Sequence, residues 1–331
     1  MQKTILAAVV ASVFAGQAMA EIKPLSADQF TIGGEATVGG YYNDNADQKY
    51  MTDGATVLQL ETSYKNGGIV GYVEVDIKAE YGRGMDEDVV SDLDKAWIGY
   101  DFGFGTLSYA LENDTALDAV DGAGDMTYEF GMSAPDASDA FDVVKFQGGV
   151  SGFAYGVSYF ETDEDKDQKE GKQSGYNGYV GFEADMFSVY AGYEKKDAAY
   201  RDDDGNATSL IKGEEDTVST VTGNIDLGAV QLGANIWKAE VFTAENVSEE
   251  HDGFYVSAAS TFNTLTLSTG YGEVDHDDKF ESYKQFNVAG FYQMSSNTFV
   301  GVDVAYNMPE VEIKNDQEDE TRVFLKAGYT F

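Results

Sequence analysis

The segment Thr321-Arg322-Val323-Phe324-Leu325-Lys326-Ala327-Gly328-Tyr329-Thr330-Phe331 decides the architecture. Val323, Leu325, Ala327, Tyr329 and Phe331 alternate with Arg322, Phe324, Lys326, Gly328 and Thr330. A period of two is the mark of a strand, because successive side chains leave opposite faces. The pattern recurs upstream. Val300, Val302, Val304 and Tyr306 alternate with Gly301, Asp303 and Ala305, and Val73, Val75, Ile77 and Ala79 with Glu74, Asp76, Lys78 and Glu80. Phe187, Val189, Ala191 and Tyr193 do the same against Ser188, Tyr190, Gly192 and Glu194. No stretch of comparable length carries a helical stripe.

Extending this rule predicts sixteen strands, near 30–43, 55–65, 69–81, 93–101, 106–112, 142–150, 153–162, 174–184, 187–196, 216–226, 229–241, 251–262, 264–275, 282–294, 298–308 and 321–331. Their connections alternate in length. Tight turns such as Asn66-Gly67-Gly68, Ser151-Gly152 and Leu227-Gly228 take turns with long polar segments at 44–54, 82–92, 113–141, 163–173, 197–215, 242–250, 276–281 and 309–320. Sixteen strands enclose a lumen too wide for side chains to fill, so the interior is wet and the apolar face looks outward. A single all-β domain over 21–331 is therefore expected: a 16-stranded antiparallel transmembrane β-barrel with short periplasmic turns and long extracellular loops.

Composition narrows the function. Among 331 residues, 59 Asp+Glu face 21 Lys+Arg, for a net charge of −38. Nucleic-acid binding is excluded, because it depends on Lys/Arg displacing counter-ions from phosphates. The absence of Cys removes disulfides, thiol catalysis and Cys-ligated zinc. Two His, at 251 and 276, leave little material for catalysis or a multi-His metal site, and no cofactor or metal is expected. Met1–Ala20 reads as a cleaved secretory signal: Lys3, a short apolar run from Ile5 to Gly16, then Ala18-Met19-Ala20. No later segment has the eighteen or so apolar residues of a membrane helix.

Parity assigns the faces. The outward set is Val, Leu, Ile, Ala, Gly and Tyr. The inward set includes Glu35, Gln59, Glu61, Glu74, Asp76, Lys78, Asn235, Asp303, Arg322 and Lys326. Tyr41, Tyr42, Tyr64, Tyr81, Phe102, Phe104, Phe153, Phe262 and Phe299 fall at strand ends, as two interfacial aromatic girdles require.

At this point the chain resembles the general porins of Gram-negative outer membranes. The C-terminal strand with Tyr329 and Phe331 is similar to the family's assembly signal. Ala96-Trp97-Ile98-Gly99-Tyr100-Asp101-Phe102-Gly103-Phe104-Gly105-Thr106-Leu107 is similar to its fourth strand, turn and fifth strand, and Tyr128-Glu129-Phe130-Gly131 to the tip of its third loop. The resemblance implies an outer-membrane homotrimer, delivered by the barrel-assembly machinery, whose third loop folds inward to constrict the pore. Two departures stand out. Asp94, with Lys95 beside it, occupies the place of a usual Arg, and Leu111-Glu112 replaces a second basic residue. Both put the family's usual transverse field in doubt.

The loop 113–141 is the longest connection, and its length marks it as functional. It carries Asp114, Asp118, Asp121, Asp125, Glu129, Asp136 and Asp139, and no Lys or Arg lies between Lys95 and Lys145. Carboxylates crowded into a narrow passage attract cations. The expected function is thus a diffusion channel for ions and small hydrophilic solutes that prefers cations. The constriction is assigned to Asp114, Asp118, Asp121, Asp125 and Glu129, and the lumen wall to Glu35, Glu61, Glu74, Asp76, Lys78, Asp94, Lys95, Arg322 and Lys326.

Acidic runs at 86–88, 202–204, 214–216, 275–278 and 318–320 fall in outer loops, where divalent ions can bridge them to lipopolysaccharide phosphates. Three rival functions are distinguishable. An oligosaccharide channel needs an aromatic slide, for which Phe160, Tyr179, Tyr190, Trp237 and Phe324 have inward parity. An outer-membrane enzyme needs His251-Asp252 or Asp275-His276 to act as a dyad. An adhesin or phage receptor would use the outer loops.

Overall fold

The computed structural model describes residues 29–44, 52–80, 88–162, 172–201, 207–276, 282–309 and 319–331. The signal segment and the acidic runs at 86–87, 202–204, 277–278 and 318 lie outside these residues, as does Tyr81.

Sixteen strands follow one another as a meander: β1 Phe30–Asn43, β2 Val57–Asn66, β3 Ile69–Glu80, β4 Asp88–Asp101, β5 Gly105–Asp114, β6 Asp139–Val150, β7 Phe153–Glu161 and β8 Ser174–Ala184. The second half comprises β9 Phe187–Arg201, β10 Ala207–Asp226, β11 Gln231–Ala244, β12 Val247–Phe262, β13 Leu265–His276, β14 Tyr283–Gln293, β15 Thr298–Pro309 and β16 Glu320–Thr330. A three-residue segment, Thr52–Gly54, precedes β2 and pairs with Gly40 and Tyr41 of β1. Every neighbouring pair is antiparallel. β16 closes on β1 from Glu35↔Thr330 to Asn43↔Arg322, so the sheet is a closed barrel without a free edge.

The tight rim follows from turn chemistry. Gly67 and Gly68 have φ of 56° and 90°, and Ser151 and Gly152 have φ of 52° and 85°. Two consecutive positive φ values define the type I′ turn, whose twist matches the strands it joins.

Polarity is inverted relative to a soluble protein. Ile32, Val38, Val180 and Ile236 are 60–75% exposed, whereas Asn235 and Asp303 on the inward parity are 1% and 0% exposed. An aromatic band runs along the short-turn rim through Phe30–Tyr64, Tyr100–Phe102–Phe104–Phe146–Tyr155 and Phe153–Phe182–Phe187, with ring centroids 5.0–6.1 Å apart. Tyr41 and Phe299 depart from the girdle reading. Both point into the lumen, Tyr41 against Phe324 and Phe299 against Phe291.

On the long-loop side the strands outrun the pattern. β10 starts at Ala207 rather than near 216, β12 at Val247 rather than 251, and β9 continues to Arg201. The predicted loop 242–250 shrinks to the hairpin turn at Glu245-Asn246, where Asn246 has φ 58°. Beyond the membrane both faces of a hairpin meet water. The ladder therefore continues with no apolar alternation to announce it.

Candidate functional site: the inner loop and the lumen wall

Between β5 and β6 the chain runs inside the barrel over residues 115–138, with a short helix α1 at Asp118–Asp121 and one 3-10 turn at Gly122–Gly124. It follows the inner wall strand by strand. Ala116 N donates to Ser158 Oγ of β7 (3.0 Å) and Leu117 N to Asn177 Oδ1 of β8 (3.3 Å). Ala137 N donates to Glu194 of β9 (2.9 Å), and Gly124 N to Thr222 of β10 (2.9 Å) and Asn235 of β11 (3.1 Å). Met126 N reaches Ser257 Oγ of β12 at 2.9 Å.

At the tip, Tyr128, Glu129 and Phe130 all donate their backbone N–H to one oxygen of Asp303 on β15, at 3.3, 2.9 and 3.0 Å. Asn287 of β14 donates to the same carboxylate. A buried carboxylate is stable only with such a set of donors. Tyr41 OH of β1 then bonds the Glu129 side chain.

Apolar contacts seal the loop to this wall. Leu117 and Val120 pack on Ala154, Tyr179 and Tyr190. Met132 and Ala134 pack on Val218, Trp237, Ala239, Tyr255 and Val274. Phe130 packs on Ala305 and Phe324. Two glycines permit the close approach: a Cβ on Gly124 would lie 2.3 Å from Ala234 O, and one on Gly301 would lie 2.3 Å from the Tyr128 ring.

The opposite half of the lumen, β16 and β1 to β6, is lined by charge. Lys326 pairs with Glu35 (2.8 Å), Lys78 with Asp92 (3.6 Å) and Asp76 (3.8 Å), and Lys95 with Asp114 (3.0 Å) and Asp94 (3.7 Å). Lys145 Nζ donates to the Asp114 carbonyl at 2.8 Å. Arg322 lies over the Phe130 ring, 4.7 Å from its centroid. Glu74 accepts from Tyr72 OH (2.6 Å) and from Gln59, and Glu61 sits opposite Glu74 in the ladder. A slipped register leaves Asp94 as an extra residue between Leu93 and Lys95, which are paired to Val75 and Glu74. That bulge puts Asp94 beside Lys95 on the lumen side. A cavity of about 470 Å³ opens here between Tyr72, Trp97, Lys95, Lys145, Gln147 and Ala119 of the loop.

These placements revise several expectations. Asp114 belongs to a strand rather than to the loop: it ends β5, in register with Asp139 at the start of β6. The ladder persists there because Lys95 compensates the Asp114 charge. The basic residues absent at Asp94 and Glu112 are supplied in space by Lys95 and Lys145, which converge on Asp114. Phe160, Tyr179, Tyr190, Trp237 and Phe324 do face inward, but are at most 9% exposed beneath the loop and its flanks, so they form no sugar slide. His251 and His276 face one another across β12 and β13, on the face opposite to that of Asp252 and Asp275. Asp252 and Asp275 instead line a cavity with the outward residues Val221, Ile236 and Lys238.

Crowding changes the loop's own acids. Burial, with Asp114, Asp121 and Asp139 nearby, pushes Asp118 up to about 7 despite Lys95. Burial beside Asp121, Glu194 and Asp118 pushes Asp136 up to about 8. Asp121 and Asp125 are also raised by burial, opposed by hydrogen bonds from Ser133 and Gly122 and from Thr127 respectively. Glu129 remains exposed at the tip.

The wall residues that hold the loop, Ser158, Asn177, Glu194, Thr222, Ser257 and Gln285, were not singled out in the sequence. A signal existed: many inward positions of β7 to β15 carry Ser, Thr, Asn or Gly beside a few buried carboxylates such as Glu194 and Asp303, whereas those of β1 to β5 and β16 are richer in Glu, Asp, Lys and Arg. Only the second set is dressed for bulk water.

A closed 16-stranded barrel, apolar outside, charged inside and crossed by an inward loop, defines an outer-membrane β-barrel protein. The chain belongs to the Gram-negative porin family, whose model matches residues 6–310. Porin-like protein H of Photobacterium profundum is 26% identical over 245 residues, covering 72% of this chain and 63% of that relative's length. The fold is similar to in-vitro folded OmpT of Vibrio cholerae, with a TM-score of 0.70, 18% identity and coverage of 94% of this chain and 100% of that one. It is also similar to Salmonella typhi OmpF in complex with daunomycin, with a TM-score of 0.68, 18% identity and coverage of 93% and 99%.

Proposed function

We propose that the chain forms a water-filled diffusion channel in the outer membrane for ions and small hydrophilic solutes, with cations and neutral solutes favoured over anions. The observation that carries this reading is the inner loop. It brings Asp118, Asp121, Asp125, Glu129 and Asp136 into the lumen without a single base, while the facing bases Lys78, Lys95 and Lys326 are each paired to carboxylates. An acid surplus between low-dielectric walls concentrates counter-ions in the passage. In this reading residues 115–138 are the constriction, and Glu35, Glu61, Glu74, Asp76, Lys78, Asp94, Lys95, Arg322 and Lys326 are the wall.

Residues 1–20 act as the export signal, and Tyr329 and Phe331 as the recognition end for the assembly machinery. A solved relative of this fold is described as a trimer, and three such barrels per assembly, set among lipid and lipopolysaccharide, complete the proposal. A catalytic role is disfavoured by the pairing of the two histidines with each other. A sugar-specific channel is disfavoured by the covered aromatics.

Selectivity is tested by the reversal potential of the reconstituted protein across a salt gradient. Cation preference gives a potential of the sign of the cation Nernst potential, and a value at zero or of the opposite sign overturns it.

A further inference from the structure

The chain has two histidines in 331 residues, and the barrel sets them directly opposite one another. His251 on β12 and His276 on β13 share one register position, with ring centroids 4.3 Å apart and planes inclined by 55°. Their parity is that of Tyr255 and Val274, both buried in the cluster under the inner loop, so the pair faces the lumen above that cluster, at the long-loop end. The backbone of His276 is fixed by its N–H bond to Ser282 Oγ (3.0 Å), and Ser282 in turn donates to Asp275 Oδ1 (2.8 Å). Glu249, on the inward parity two residues before His251, and Asp275 are the carboxylates whose charge bears on His276.

We propose that His251 and His276 form a binding site for a late first-row divalent ion, of the Ni²⁺, Cu²⁺ or Zn²⁺ type, at the outer mouth of the lumen. Directly opposed residues of an antiparallel pair have Cβ atoms about 5 Å apart. With metal–nitrogen bonds of about 2.0–2.1 Å, two imidazoles on one ion place their rings roughly 5 Å apart, so small side-chain rotations bring this pair onto a shared ion. Imidazole selects these ions over Mg²⁺ and Ca²⁺, which take oxygen ligands. Among the described residues no group of three or more His, Asp or Glu converges on one point. The site is therefore a two-ligand clip completed by water, and the rings must turn to bring the buried His251 Nε2 and His276 Nδ1 onto an ion. The acidic surroundings raise the local cation concentration at it.

The test is a calorimetric Ni²⁺ titration of the folded full-length protein in detergent, alongside His251→Gln, His276→Gln and the outward control Asp252→Asn. One Ni²⁺ per chain is expected, weakened at least about tenfold by either histidine substitution, unchanged by Asp252→Asn and not displaced by millimolar Mg²⁺. Two results overturn the proposal: no Ni²⁺ binding by the unmodified chain at millimolar concentration, or binding that survives both histidine substitutions. If one variant fails to fold, the other decides.

Discussion

The lumen has two halves built on the same alternation with opposite chemistry. On β7 to β15 the loop is held by Ser, Thr and Asn side chains and by two buried carboxylates, Glu194 and Asp303. On β16 and β1 to β6 the inward residues include the partly exposed ion pairs Lys78–Asp92, Lys95–Asp114 and Lys326–Glu35. One half is therefore a dry interface between wall and loop, where an unpaired polar atom is costly. The other is a wet surface, where a lost partner is replaced by solvent. Inward parity alone does not say which of these a residue belongs to.

The contrast breaks hardest at Asp303. Replacing it with Ala strips three backbone N–H groups of their shared acceptor, at a cost of roughly 3 kcal/mol or more to loop docking. Asp303→Ala is expected to expose residues 115–138 to added protease and to alter single-channel conductance in reconstituted membranes. Unchanged protection and conductance would mean that the apolar seal, not the carboxylate, holds the loop.

The next effect comes from the crowded acids between the halves. Asp118 near 7 and Asp136 near 8 are protonated at acid pH and ionised at alkaline pH. Cation over anion permeability is therefore expected to rise from pH 5 to pH 9, and the Asp118→Asn, Asp136→Asn double variant should flatten that rise. A profile equally steep in the variant removes these two groups from the passage. The linkage sign is also fixed. Both pKa values are raised, so the folded state holds more protons than the unfolded one between the ordinary Asp range and about 8, and ionisation at higher pH costs stability. Asp136→Asn should accordingly raise Tm relative to the unmodified chain at pH 9, with little change at pH 3.

The smallest effect belongs to the wet half. Lys326→Ala removes a partly exposed pair with Glu35, worth about 0–1 kcal/mol, and should leave Tm nearly unchanged. It frees a carboxylate at the passage, so the reversal potential should move further toward the cation limit. A large loss of Tm would place Lys326 in the dry half instead.

Much of the barrel was legible because lipid and water impose the period of two on every crossing strand. Val300 to Tyr306 and Val323 to Phe331 fix their faces without help from neighbours. The extensions of β9, β10 and β12 were hidden because nothing apolar is asked of a hairpin in water. The loop's acidity was plain, but its consequence was not. Asp118 and Asp136 repel each other only after the fold buries them together. Asp114 has no base beside it in sequence, and only the neighbouring strands β4 and β6 bring Lys95 and Lys145 to it. The histidines show the same limit, since adjacency to Asp252 and Asp275 in sequence is undone by alternation.

The seam between β1 and β16 has a kinetic consequence. Thr321 N bonds Asp44 Oδ1 at 2.6 Å across 277 positions of sequence, and Gly34 and Phe331 exchange backbone bonds at 3.0 and 3.1 Å. Strand β1 thus waits for its second neighbour until nearly the whole chain has left the ribosome. Throughout export it carries an open, sticky edge, the kind of species that aggregates unless something shields it. Ring closure is the latest contact to become possible and spans the greatest sequence distance, so the order of the strands makes it the step most delayed by loop-closure entropy.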